Sequence, residues 1–132
     1  MSSLFTRIIR GEIPSWKIAE NEQFFAFLDA FPLVEGHVLV VPKTEVDRIW
    51  DVPDDYLHTW FAFAKPIAAA IEKAFPCNRC AIVVLGMEVP HAHMHLLPAN
   101  SAADADFTRP KMKVTPEDQQ RTQEKILAAL AF

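Results

Sequence analysis

His91-Ala-His-Met-His-Leu-Leu-Pro98 gathers three of the chain's five histidines at alternate positions. A β-strand sends successive side chains to opposite faces. Read as a strand, the segment puts His91, His93 and His95 in one row and turns Ala92, Met94 and Leu96 toward a core. A row of imidazoles on a half-buried strand is costly unless the rings find partners or a substrate. Residues two apart lie roughly 6.5–7 Å apart at the backbone, close enough for their rings to converge on one metal ion or one phosphoryl group. Spacing alone leaves three chemistries open. The row could hold zinc with a further ligand from elsewhere, supply a histidine nucleophile for phosphoryl or nucleotidyl transfer, or form a hydrogen-bonded network that ties loops together.

Working outward, Ser3 is placed to cap a short helix from Leu4 to Arg10 that stops at Gly11. Trp16–Glu20 and Phe24–Asp29 read as strands around a polar turn at Glu20-Asn21-Glu22. His37–Val41, bounded by Gly36 and Pro42, reads as a buried strand. The main helix is expected from Pro53 to Phe75, with Pro53 at its first position. Its core face is expected at Leu57, Trp60, Phe61, Ala64, Ile67, Ala68 and Ile71, and Pro66 is expected to kink or split it. Cys80–Leu85 reads as a strand, and Asn100–Pro110 as a loop. Thr115 caps a C-terminal helix with Pro116 at its first position and Ile126, Leu127 and Leu130 on its apolar edge. The expected class is α+β: an antiparallel sheet of about five strands with a main helix and a C-terminal helix packed on it.

The 132 residues suit one domain, 1–132. Ten Phe and three Trp exceed what so small a protomer readily buries, which points to a self-association surface. A net charge of −4 with scattered Lys and Arg carries no footprint for nucleic-acid binding. No apolar stretch suits a secretory leader or a membrane span, so the expected location is cytoplasmic, with no membrane partner. Two cysteines do not make a disulfide framework. Cys77-Asn-Arg-Cys80 lacks the strand-to-helix setting of a redox motif. His58, beside Leu57 on the main helix, reads as a surface histidine.

Several segments, in order, resemble the histidine triad (HIT) family of nucleotide hydrolases and transferases, nearest its Hint-like branch. His91-Ala-His-Met-His-Leu-Leu resembles its signature. Phe5-Thr-Arg-Ile-Ile-Arg-Gly-Glu-Ile-Pro14 resembles its N-terminal helix and turn, and Phe25-Ala-Phe-Leu-Asp29 its ribose-binding strand. Gly36-His-Val-Leu-Val-Val-Pro-Lys43 resembles the strand behind its active site. The resemblance spans about residues 3–98 and leaves 99–132 as a C-terminal loop and helix.

The resemblance implies a HIT-like fold, a two-fold homodimer and a phosphoramidase-type hydrolase. Such an enzyme cleaves a purine nucleoside monophosphate from an amine or phosphate leaving group. The implied nucleophile is His93, which forms a nucleotidyl-histidine intermediate that water hydrolyses. His95 corresponds to the α-phosphate contact, and His91 and His37 to the relay that orients the rings. Asp29 corresponds to the ribose-binding carboxylate. Leu4, Phe5, Ile8 and Phe27 correspond to the purine slot, with Ala30 at its edge. The mechanism calls for no metal and no cofactor. Dinucleoside polyphosphate hydrolysis and purine-nucleotide binding with little turnover are the alternatives.

Two departures from the family pattern stand out. Some Hint-like relatives build a zinc site on Cys-x-x-Cys and a later histidine, where this chain has Ser3, Thr6 and Glu45. Before the triad, the positions that usually offer Gln or Ser to the leaving group hold Met87 and Glu88. Methionine donates no hydrogen bond, and a carboxylate repels phosphate.

Overall fold

The computed structural model describes residues 2–131; Met1 and Phe132, the outer ends of the terminal segments read above, lie outside the described residues. Helix α1 (Leu4–Ile9) starts as its cap dictates, with Ser3 Oγ accepting the Thr6 N–H at 3.0 Å. Gly11, at φ 79°, turns the chain just beyond it. Strands β1 (Lys17–Glu20) and β2 (Phe24–Leu28) form a hairpin, and Asn21 Oδ1 shapes its turn by accepting the N–H groups of Gln23 and Phe24. Strand β3 (Val38–Pro42) follows Gly36 and His37. Helix α2 (Asp54–Ala74), β4 (Arg79–Val83), β5 (Met94–Ala99) and α3 (Pro116–Ala129) complete the chain. Single 3-10 turns occur at Ile49–Asp51 and, inside the expected loop, at Ala102–Ala105.

The strands form one antiparallel five-stranded sheet in the order β1-β2-β3-β5-β4. Its residues sort by the two-residue period. Phe24, Ala26, Leu28, Val38, Val40, Met94 and Leu96 face a core closed by Trp60, Phe63, Ala64, Ile67 and Ile71 of α2 and Ile126 of α3. Phe25, Phe27, Leu39 and Val41 face the other way, against Phe5 and Ile8 of α1. Apolar residues on both faces make these strands continuous hydrophobic runs rather than alternating ones.

Several expectations need correction. The histidine strand begins at Met94, so only His95 of the triad lies within it. His91 and His93 lie in the segment that leads into it, whose Ala92 N–H bonds the Val46 carbonyl at 2.7 Å. His37 likewise precedes its strand, and β4 runs from Arg79 to Val83 rather than from Cys80 to Leu85. Pro53 is the cap of α2, not its first residue. Pro66 does not split the helix. The carbonyl it deprives of a partner belongs to exposed Ala62, where water can take over. The buried face of α2 includes Phe63 and Ala70, while Phe61 is 63% exposed. On α3, Ile126 is buried but Leu127 faces solvent. Some of the aromatic excess therefore stays on the surface, in Trp50 (80% exposed) and Phe61.

Candidate active site

The sheet face opposite α2 opens into a cavity of about 460 Å³. His93 and His95 line it, because alternation turns them away from Ala92, Met94 and Leu96, which sit in the α2-side core. The strand register sets Leu39 opposite His95. The His93 and His95 rings meet edge-on at 4.9 Å, so the rings lie closer together than the backbone spacing of the two residues.

The hydrogen bonds assign a tautomer to every ring of the row. His93 Nδ1 lies 2.7 Å from the His91 carbonyl, an acceptor, so Nδ1 carries the proton and Nε2 keeps its lone pair. The Leu33 N–H donates to His37 Nδ1 at 3.1 Å, which puts the His37 proton on Nε2. That proton faces His95 Nδ1 at 2.9 Å, leaving the His95 proton on Nε2 as a free donor. His91 Nε2 donates to the Pro42 carbonyl at 2.7 Å, and its Nδ1 accepts from Ser3 Oγ at 2.7 Å.

Burial keeps these rings neutral. It lowers the His37 pKa to about 4, with Lys111 and His93 adding to the effect. It lowers His95 to about 3, with His37, His93 and Lys111 adding to the effect. Burial also lowers His91 and His93, partly offset by their bonds to carbonyl oxygens. A neutral imidazole with a free lone pair, beside a neutral imidazole with a free N–H, can act as nucleophile and donor together.

The expected nucleotide residues come together around these rings. Leu4, Phe5, Ile8, Phe27, Asp29 and Ala30 all line the cavity, and the Phe5 ring meets His93 edge-on at 5.0 Å. His37 and His91 stand behind the lining, as their contacts to His95 and His93 require. Burial raises the Asp29 pKa. One Asp29 oxygen accepts the Phe31 N–H at 2.8 Å and the other lies 3.5 Å from His37 Nε2. Met87 and Glu88 sit at the rim: Met87 is 87% exposed, while the charge of Glu88 reaches both Asp29 and His93.

The C-terminal segment contributes residues that the sequence did not single out. Phe107 packs edge-on against His95 at 4.5 Å and against His37 at 5.9 Å. Lys111 lines the same cavity, its Nζ donating to the Phe107 carbonyl at 3.1 Å. Trp16 and Phe31 also line the wall. No local pattern marks Phe107 or Lys111, since both lie in an irregular stretch placed only by the fold. Cys80 is far less promising: burial and Glu72 raise its thiol to about 12, which keeps it protonated and unreactive.

Residues 10–102 match the HIT domain, and the chain belongs to that family. Adenosine 5′-monophosphoramidase HNT1 of Saccharomyces cerevisiae is 37% identical over 100 residues, which are 72% of this chain and 61% of that protein. This chain thus spans less than two thirds of the yeast relative. A Bartonella henselae Hit-like protein involved in cell-cycle regulation superposes with a TM-score of 0.85 at 28% identity, covering 98% of this chain and 96% of that one. A zinc-bound histidine triad family protein from Mycobacterium smegmatis superposes with a TM-score of 0.82 at 27% identity, covering 98% and 93%.

The residues around His91 do not suit zinc. Ser3 and Thr6 offer neutral hydroxyls already engaged as donors, where zinc takes thiolate, imidazole or carboxylate. Among the described residues, the one metal-sized grouping is Asp29, His37 and His95, and a hydrogen bond already joins its two rings.

Proposed function

We propose that this chain is a nucleotide hydrolase that cleaves a purine nucleoside monophosphate from an amine or phosphate leaving group through His93. The carrying observation is the His93 ring itself. Its Nδ1–H is fixed on the His91 carbonyl, so the Nε2 lone pair is free at a cavity wall. Attack on the α-phosphorus forms a P–N bond and breaks the bond to the leaving nitrogen or oxygen. In this reading the His95 Nε2–H, left free by the bond from His37 to Nδ1, donates toward the developing negative charge. Water then attacks phosphorus, the P–N bond breaks, and His93 returns to neutral.

Asp29 binds the ribose hydroxyls in this reading, and Leu4, Phe5, Ile8, Phe27 and Ala30 enclose the base. The phosphoramidase name of the yeast relative supports an amine leaving group. Glu88 favours the same choice, since its carboxylate attracts a protonated amine. Lys111 favours the alternative, a dinucleoside polyphosphate, because its cation faces the same cavity. The chain works as a soluble cytoplasmic homodimer in this reading. Exposed Trp50 and Phe61 supply apolar surface for pairing, and no helix among the described residues is long and apolar enough to cross a membrane.

The test is release of AMP and GMP from nucleoside phosphoramidates and diadenosine polyphosphates, with chelator present and His93→Ala alongside. Chelator-resistant release is expected, lost by about a thousandfold or more in the variant. Equal rates in variant and wild type overturn the proposal. Tight nucleotide binding with no release by the wild type leaves the binding-module alternative, with Met87 and Glu88 as its cause.

A further inference from the structure

We propose that Glu45 is a positioning residue: through Ser3 and Thr6, its carboxylate holds the His91 ring and the N-terminal helix in the arrangement that presents His93 to the cavity. This rests on the nucleotidyl-transfer reading of His93.

The chain of bonds is continuous. One Glu45 oxygen accepts the Ser3 N–H and the Thr6 Oγ–H, each at 2.6 Å. Ser3 Oγ accepts the Thr6 N–H at 3.0 Å and lies 2.7 Å from His91 Nδ1. His91 Nε2 meets the Pro42 carbonyl, and the His91 carbonyl meets His93 Nδ1, both at 2.7 Å.

Counting protons shows what Glu45 contributes. A carboxylate and a carbonyl only accept, so Glu45 and Pro42 fix the two ends. Thr6 must spend its hydroxyl proton on Glu45. Ser3 Oγ then gives its proton to the nearer acceptor, His91 Nδ1 at 2.7 Å, rather than to Thr6 Oγ at 3.2 Å. His91 Nδ1 is thereby held as an acceptor, in accord with the Nε2 proton that the Pro42 carbonyl fixes, and its own carbonyl stays where His93 needs it. Without Glu45, Thr6 Oγ, 3.2 Å from Ser3 Oγ and 3.4 Å from His91 Nδ1, can turn its proton inward and compete with Ser3 for His91 Nδ1, so the hydroxyl that seats the ring is no longer fixed. The same staple seats α1, whose Phe5 touches both His91 and His93. Glu45 itself is exposed, whereas Ser3, Thr6 and His91 are buried, so the anchor sits at the surface end of a buried network.

The test pairs two readouts on the full chain. Imidazole ¹⁵N resonances are recorded on the free protein, and kcat and KM are measured with a nucleoside phosphoramidate. In Glu45→Ala the His91 Nδ1 resonance is expected to move and kcat to fall about tenfold, with KM within about twofold of wild type. Ser3→Ala should do the same, and Ser3→Thr, which keeps the hydroxyl, should restore kcat. Glu45→Gln should fall between, because its amide can donate as well as accept. An unmoved His91 resonance in Glu45→Ala overturns the proposal. So does an unchanged kcat in a Glu45→Ala protein whose melting temperature alone has dropped. A wild type that releases no nucleotide refutes the reading of His93, and the resonances still decide the role of Glu45.

Discussion

His37 Nε2 donates to His95 Nδ1 at 2.9 Å, joining two buried neutral rings from β5 and the residue just before β3. An unfolded histidine takes up its proton near pH 6.5. In the folded protein His37 does so near 4 and His95 near 3. Between those limits the unfolded chain binds more protons, so stability must fall as pH falls from about 6.5. Calorimetric melting temperature is expected to decline steadily from pH 7 to 5, and His37→Gln to show a shallower decline. A flat profile over that range would contradict the neutral pair.

Asp29 spends one oxygen on the Phe31 N–H, leaving the other, 3.5 Å from His37 Nε2, able to accept from a ligand. Gln119 of α3 fixes the Asp29 backbone by donating to its carbonyl at 2.9 Å. A hydrogen bond to a charged carboxylate contributes about 1.5–3 kcal/mol, so Asp29→Asn should raise KM for a ribonucleotide substrate about tenfold. The variant should also lose most of the preference for ribose over 2′-deoxyribose. Measuring KM for both sugars in both proteins checks the assignment, and an undiminished preference for ribose in the variant refutes it.

Phe107 and Lys111 shield one side of the triad. Phe107→Ala exposes His95 to water, which weakens the burial that lowers its pKa. The acid limb of kcat/KM is expected to move to higher pH. Lys111→Ala should weaken nucleotide binding by about two- to fivefold at low ionic strength and less in high salt, as expected for an exposed cation. Lys111→Arg should stay near wild type. Titration calorimetry across ionic strengths reads the effect directly, and equal affinities for Lys111→Ala and wild type at low salt would remove Lys111 from the site.

Gly36 stands at φ 96°, and a Cβ there would come within 2.9 Å of the Phe75 ring. Strained backbone and contact together predict that Gly36→Ala loses about 1–3 kcal/mol of stability, read from urea unfolding. Because His37 follows immediately, turnover should fall with it. A variant as stable as wild type would show that Phe75 gives way freely.

Most of the architecture was legible because local chemistry and tertiary packing agreed. Ser3 and Thr115 mark helix starts by their own side chains, and Gly11 marks a stop. The β-branched run before Pro42 could be little else than a buried strand. Boundaries moved where pairing, not propensity, decides. His91 and His93 have the right alternation for a strand, but the β3 pairing reaches only to Met94. Phe61 and Phe63 are the same residue type, and what buries Phe63 is its place on the three-and-four stripe with Trp60, Ile67 and Ile71, which Phe61 lies off.

The sequence by itself determined the histidine row, its facing relative to Ala92, Met94 and Leu96, the HIT resemblance and the residues to test, because a two-residue period and short motifs are written locally. Tertiary structure alone decided which nitrogen of each ring holds the proton. Those protons are set by the Leu33 N–H, the Pro42 and His91 carbonyls and the Ser3 hydroxyl. Except for the His91 carbonyl, these partners come from other parts of the chain or another turn of the backbone. Tertiary structure also brought Glu45 to Ser3, 42 residues away, and Phe107 to His95. A hydrogen bond or a ring contact needs its partner within a few ångströms, and only the folded chain sets that distance.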